Sequence, residues 1–134
     1  MKKYLWPIFG TFFLLLALQL IPVFIKPEFL LFNDHFILGY FGANNLAVIL
    51  LVVFSYLPIV TLDKSENKTV RFSSVILLSS ILSNLLDRIF RGGATDYISI
   101  KNWPTFNIAD ALIIVAIAIL SIAYIKKPRI EKDK

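Results

Sequence analysis

Four apolar runs divide this chain, and their length constrains its fold more than any other feature. Residues 4–25, 46–62, 72–86 and 108–125 are almost free of charge. A helix needs about 20 such residues to cross the hydrocarbon of a bilayer, with roughly 17 as the short limit. The fold class that follows is an all-α integral membrane protein with four transmembrane helices. Composition agrees, since 57% of the residues are hydrophobic and only 17% are charged, whereas a soluble domain carries about 25% charged residues.

The first run follows Lys2 and Lys3 and ends at Leu20-Ile21-Pro22-Val23. A secretory signal would have a shorter apolar region and a small-residue cleavage site. An uncleaved first helix is expected instead, ended or kinked by Pro22. Residues 26–45 interleave Pro27, Glu28, Asn33, Asp34 and His35 with phenylalanines. That segment is too polar to span and too aromatic for a slack linker, and short strands lying on the membrane surface fit it. Residues 63–71 read as a solvated loop, and 72–86 crosses only if 84–90 continues the helix. A single membrane domain over 1–134 is expected, with helices at about 4–25, 46–62, 70–90 and 107–125 and a frayed tail. Between them lie an external segment at 26–45 and an external loop at 91–106.

Basic residues give the orientation. Lys2, Lys3, Lys64, Lys68, Arg71, Lys126, Lys127, Arg129, Lys132 and Lys134 fall on one side of a four-span bundle, and only Lys26, Arg88, Arg91 and Lys101 on the other. The positive-inside bias places both termini in the cytoplasm. The same clustering accounts for the net charge of +5 without nucleic acid. There are no cysteines and one histidine, His35, so no thiolate chemistry, no Cys- or His-rich metal site and no cofactor is expected.

The outward side then receives the polar stretch from Ser83 to Leu112. Asn84, Asp87 and Arg88 stand at i, i+3 and i+4 and share one helical face. The arginines fit a helix end, where they meet the negative dipole and snorkel, but Asp87 meets an unfavourable dipole there. Gly92-Gly93 breaks the helix, and Asp96 follows in an alternating stretch drawn as extended. Asn107 and Asp110 have the spacing of an N-cap and its N3 partner. Yet Asp96 and Asp110 also flank a return between two spans, near one surface. Two carboxylates brought together there share a proton and can activate water while protonating a leaving group. This is general acid–base peptide hydrolysis, needing neither metal nor covalent intermediate.

Asn84-Leu85-Leu86-Asp87-Arg88, then Gly92-Gly93, Asp96-Tyr97 and Phe106-Asn107-Ile108-Ala109-Asp110, resembles the signature of lipoprotein signal peptidase, the type II signal peptidase of bacteria. The resemblance implies a membrane aspartic endopeptidase that removes signal peptides from diacylglyceryl-modified prolipoproteins. It implies Asp96 and Asp110 as the catalytic dyad, with Asn84, Arg88 and Asn107 orienting dyad and substrate and Asp87 supporting Arg88. It also implies the bacterial cell (inner) membrane, a site facing outward, contact with membrane lipid, and inhibition by globomycin-like cyclic lipopeptides.

The match lies mostly in the second half, and the chain departs from the family pattern at three places. Its first-helix Asp-Gln-x-x-Lys reads Leu18-Gln19-Leu20-Ile21-Pro22, its Asn-x-Gly-Ala-Ala-Phe reads Gly42-Ala43-Asn44-Asn45-Leu46-Ala47, and its Val-Val-Asp-Phe reads Ala94-Thr95-Asp96-Tyr97. Asn44 or Asn45 is the candidate for the displaced asparagine. A catalytically silent or substrate-shifted relative that binds lipidated peptides or a membrane partner is the alternative. A small transporter using the aspartates for ion handling is a third reading, disfavoured because they lie at one surface and not at the midplane. The acyl chains would then enter an apolar groove between helices two to four, with 26–45 as a cradle and Lys101 to Trp103 as a flap.

Overall fold

The computed structural model describes residues 2–33 and 44–126. Asp34, His35, Phe36, Phe41 and the Gly42-Ala43 pair lie outside the described residues, as do the basic residues Lys127, Arg129, Lys132 and Lys134. Four helices form the body: α1 (Lys2–Leu20), α2 (Asn44–Lys64), α3 (Lys68–Phe90) and α4 (Ile108–Ile125). Each is long and apolar enough to cross a membrane. Large apolar side chains such as Phe9, Phe13, Val53 and Ile114 point outward and exposed, the surface a bilayer covers.

α1 loses α-helical geometry where proline was expected to act. Ile21–Phe24 winds as a tighter 3-10 turn with Pro22 in its first positions, closed by Ile25 N–H donating to the Pro22 carbonyl at 3.2 Å. The expected loop over 63–71 is mostly helix. Asn67 caps α3 by accepting from the amides of Thr69 and Val70, and the Arg71 guanidinium donates to the carbonyls of Leu62 and Ser65. That buried arginine ties off the last turn of α2, so only Ser65, Glu66 and Asn67 remain between the helices.

α3 is the axis of the fold. It packs against α1, α2 and α4 and is far more buried than they are. Its buried face carries Ser73, Ser74, Ser79, Ser80 and Ser83, small residues that let neighbouring helices approach closely in a membrane. Ser74, Ser79 and Ser80 return their hydroxyls to carbonyls one turn back, so these polar groups are satisfied inside the helix. Leu51, Val70, Leu77, Ile81, Ala116 and Leu120 fill the apolar core beside it.

Outside the helices, β1 (Leu31–Asn33) pairs antiparallel with β2 (Ala94–Asp96), with Leu31 opposite Asp96. This is the β structure expected of the interfacial segment. Beyond β2 the chain makes a short hairpin, bridged at Ile98 and Phe106 and turned at Asn102, whose φ is 65°. Gly92 stops α3 with a φ of 81°, the left-handed conformation that glycine adopts without a Cβ penalty after a helix.

Candidate active site

Three elements bring four side chains together at one end of the bundle. Asn84 projects from the last turns of α3, Asp96 closes β2, and Asn107 and Asp110 open α4. Asn107 and Asp110 do form a reciprocal capping box. The Asn107 Oδ1 accepts from the Asp110 amide at 3.0 Å, and the Asp110 Oδ2 accepts from the Asn107 amide at 3.1 Å. The cap fixes which end of the Asn107 carboxamide faces inward. Its Nδ2 donates to Asp96 Oδ1 at 3.1 Å and to Asn84 Oδ1 at 3.0 Å. Asn84 in turn donates through Nδ2 to Asp110 Oδ1 at 2.7 Å. The capping reading and the site reading of Asn107 therefore hold together.

The result is a continuous link from Asp96 through Asn107 and Asn84 to Asp110. Asp96 is 2% exposed and Asn84, Asn107 and Arg88 are also buried. An unpaired polar group buried there costs about 1–3 kcal/mol, so a cluster of this polarity persists because its members bond one another.

The cluster sits at the head of a cavity of about 310 Å³ between α2, α3 and α4. Asn84, Arg88, Asp96 and Asp110 line its polar end, and Leu51, Phe54, Leu57, Leu77, Ile113 and Ile117 its apolar length. Ile117 lies two turns below Asp110 on α4, so the apolar wall extends roughly 10 Å into the bundle. Thr105, on the return of the hairpin, completes the rim.

Asp87 does not share the cavity face with Asn84 and Arg88. Adjacent residues of an α-helix point about 100° apart, and Asp87 falls on the flank toward α1. There its Oδ1 accepts from Arg91 at 2.7 Å and from Gln19 Nε2 at 3.1 Å, and its Oδ2 accepts from the Thr95 amide at 3.0 Å. Gln19 also donates to the carbonyl and hydroxyl of Ser83. Asp87 thus fixes the backbone one residue before Asp96, braced from α1 by Gln19. The sequence offered a signal for Gln19, because an amide within the otherwise apolar first run must find a partner inside the protein.

Tyr97 had no such signal. Its hydroxyl accepts from the Ile108 amide at 3.3 Å, and burial, joined by the charges of Asp110, Asp87 and Asp96, pushes it above the ordinary tyrosine value against that hydrogen bond. Asn44 opens α2, with its side chain outside what is described. Asn45, in the first turn of α2, is exposed and does not line the cavity. Among the described residues no group of His, Cys, Asp or Glu has the arrangement of a metal site.

The profile of the family described as signal peptidase (SPase) II matches residues 7–126. The chain belongs to the signal peptidase II family. A lipoprotein signal peptidase of Borrelia duttonii (strain Ly) is 34% identical over 84 residues, covering 56% of this chain and 46% of the relative. That of Halothermothrix orenii is 36% identical over 73 residues, covering 54% and 50%, and that of Anaeromyxobacter sp. (strain Fw109-5) 32% over 100 residues, covering 67% and 46%. The matched stretch spans about half the length of these curated relatives. A solved structure titled a bacterial membrane enzyme superposes with a TM-score of 0.70 at 22% identity, over 99% of this chain and 93% of that one. At that identity the likeness carries the fold, a multi-pass bundle of four helices.

Proposed function

We propose that this chain is a membrane aspartic endopeptidase that cleaves signal peptides from diacylglyceryl-modified prolipoproteins, with Asp96 and Asp110 as its dyad. The observation that carries the reading is the hydrogen-bonded link from Asp96 through Asn107 and Asn84 to Asp110 at the head of an apolar cavity. Family membership supports it.

In this reading the dyad holds one proton between its two carboxyl groups, because like charges in a poorly solvated site cannot both ionise. The ionised member takes a proton from a water molecule, whose oxygen attacks the scissile carbonyl. The protonated member supplies the proton that the leaving amide nitrogen needs. The C–N bond breaks, releasing a carboxylate on the signal peptide and an amine on the lipid-bearing cysteine. Asn84 and Asn107 hold both carboxyl groups through N–H donors, and Arg88 at the rim offers a cation to the peptide carbonyls. The dependence of kcat/KM on pH should pass through a single maximum, as expected of one acid and one base acting together.

An acyl chain would lie in the cavity along Leu77, Ile113 and Ile117, while the peptide crosses its mouth beside β1, β2 and the hairpin tip at Lys101 to Trp103. The basic-residue bias supports cytoplasmic termini and a site at the outer face of a bacterial cell membrane. A globomycin-like lipopeptide would occupy the same cavity.

A silent binder of lipidated peptides is the second reading. It is favoured by Leu18 and Pro22, which stand where the family pattern has an acid and a lysine. The test is to offer purified protein in detergent a diacylglyceryl-modified prolipoprotein and its unmodified form. Cleavage of the modified form alone is expected; binding of it without any cleavage would leave the second reading.

A further inference from the structure

At the end of the bundle away from Asp96, a second cavity of about 720 Å³ opens among the last turns of α2 and α4 and the N-terminus of α3. Its polar lining includes Lys64, Asn67, Tyr124 and Lys126, and its apolar wall includes Ile119 and Ile122. Lys64 and Lys126 arrive from different helices, both are exposed, and neither has an ion-pair partner among the described residues. Asn67 commits its side-chain oxygen to the amides of Thr69 and Val70. A carboxamide held that way presents its two N–H donors on the opposite side, away from the helix.

A lysine at each helix C-terminus is ordinary, since it complements the dipole. That explains one ammonium group per helix. It does not explain two lining one cavity beside further donors, with an isoleucine wall running from them toward the hydrocarbon. The α3 N-terminus adds the positive end of its own dipole.

We propose that this cavity binds the headgroup of an acidic phospholipid. The phosphodiester would lie between Lys64 and Lys126, the Asn67 amide would donate to its oxygens, and the first part of an acyl chain would cover Ile119 and Ile122. Free phosphate has the same charge chemistry but would leave that apolar wall to water, so the lipid fits the whole lining.

The protein reconstituted in phosphatidylcholine nanodiscs containing a minor share of phosphatidylglycerol tests this, with retained lipid counted by native mass spectrometry. Wild type should keep one phosphatidylglycerol in preference to phosphatidylcholine by roughly thirtyfold, at about fivefold per lysine. Lys64→Gln and Lys126→Gln should each remove about fivefold, and the double variant should show no preference. A control pair of equal charge loss, Lys26→Gln with Lys101→Gln, should keep it. An equal loss in the control pair would overturn the site, because the preference would then come from overall charge. So would a wild type without preference. Inorganic phosphate added to pure phosphatidylcholine nanodiscs provides the second arm: retention of phosphate by wild type as strong as that of the lipid would overturn the lipid as occupant.

Discussion

Asn107 shows how much a single side chain can fix at the residue scale. Its acceptor end closes the first turn of α4 and its donor end holds Asp96 and Asn84, so cap and site cannot be altered independently by removing it. They can be separated by substitution. Asn107→Ser keeps a good cap but loses both donors, whereas Asn107→Ala loses the cap as well. Both variants should lose cleavage by about 10²-fold or more, the scale of a misplaced acid–base pair. Thermal unfolding should find the alanine variant about 1 kcal/mol less stable than the serine variant. Tyr97 gives a second residue-level expectation. Its folded value is raised above 10.0, first by burial, so the folded state holds this proton more tightly than the unfolded chain. Its contribution to stability is complete below about pH 10 and is lost as pH rises through the raised folded value. The stability measured by urea unfolding should therefore fall more steeply with alkaline pH for wild type than for Tyr97→Phe.

The organising element is α3, which presents the cavity face to α2 and α4 and its flank to α1. Gln19 joins that flank to Asp87, and Asp87 joins it to the Thr95 amide. Gln19→Leu keeps the size and removes the two N–H donors that Ser83 and Asp87 share. It should lower kcat several-fold with KM nearly unchanged, and it should quicken amide exchange at Thr95, which a loss confined to α1 packing would not. Much at this scale was legible in the sequence. Hydropathy fixes the four spans, Gly92 the end of α3, and the spacing of Asn107 and Asp110 the start of α4. The short connection at 65–67 was not, because Arg71 reads as one more loop cation until its bonds to the α2 carbonyls are seen. Nor was the turning away of Asp87, since i, i+3 and i+4 name a broad face whose edges only packing divides. The extended stretches at β1 and β2 were legible, but their pairing was not, because it joins segments distant in sequence.

For the whole molecule, the arrangement is a set of hydrocarbon-facing helices around a largely buried polar cluster at Asn84, Asp96, Asn107 and Asp110, with an apolar cavity leading to it. The cavity's apolar length is where the proposed function places an acyl chain. Ile117→Trp would fill its lower end, and steady-state kinetics with diacylglyceryl substrates of different chain length should show KM rising most for the longest chain, with kcat less affected. The departures in the first half of the sequence lie at the end of α1, in the 3-10 turn that follows it and across the start of α2, whereas the polar end at Asn84, Arg88, Asp96 and Asp110 carries the proposed chemistry. The most direct test is cleavage of a diacylglyceryl-modified prolipoprotein by wild type, Asp96→Asn and Asp110→Asn, each shown to keep its helix content. The account predicts cleavage by wild type and a loss of roughly 10³-fold or more in each variant. Cleavage that survives either substitution would contradict the dyad.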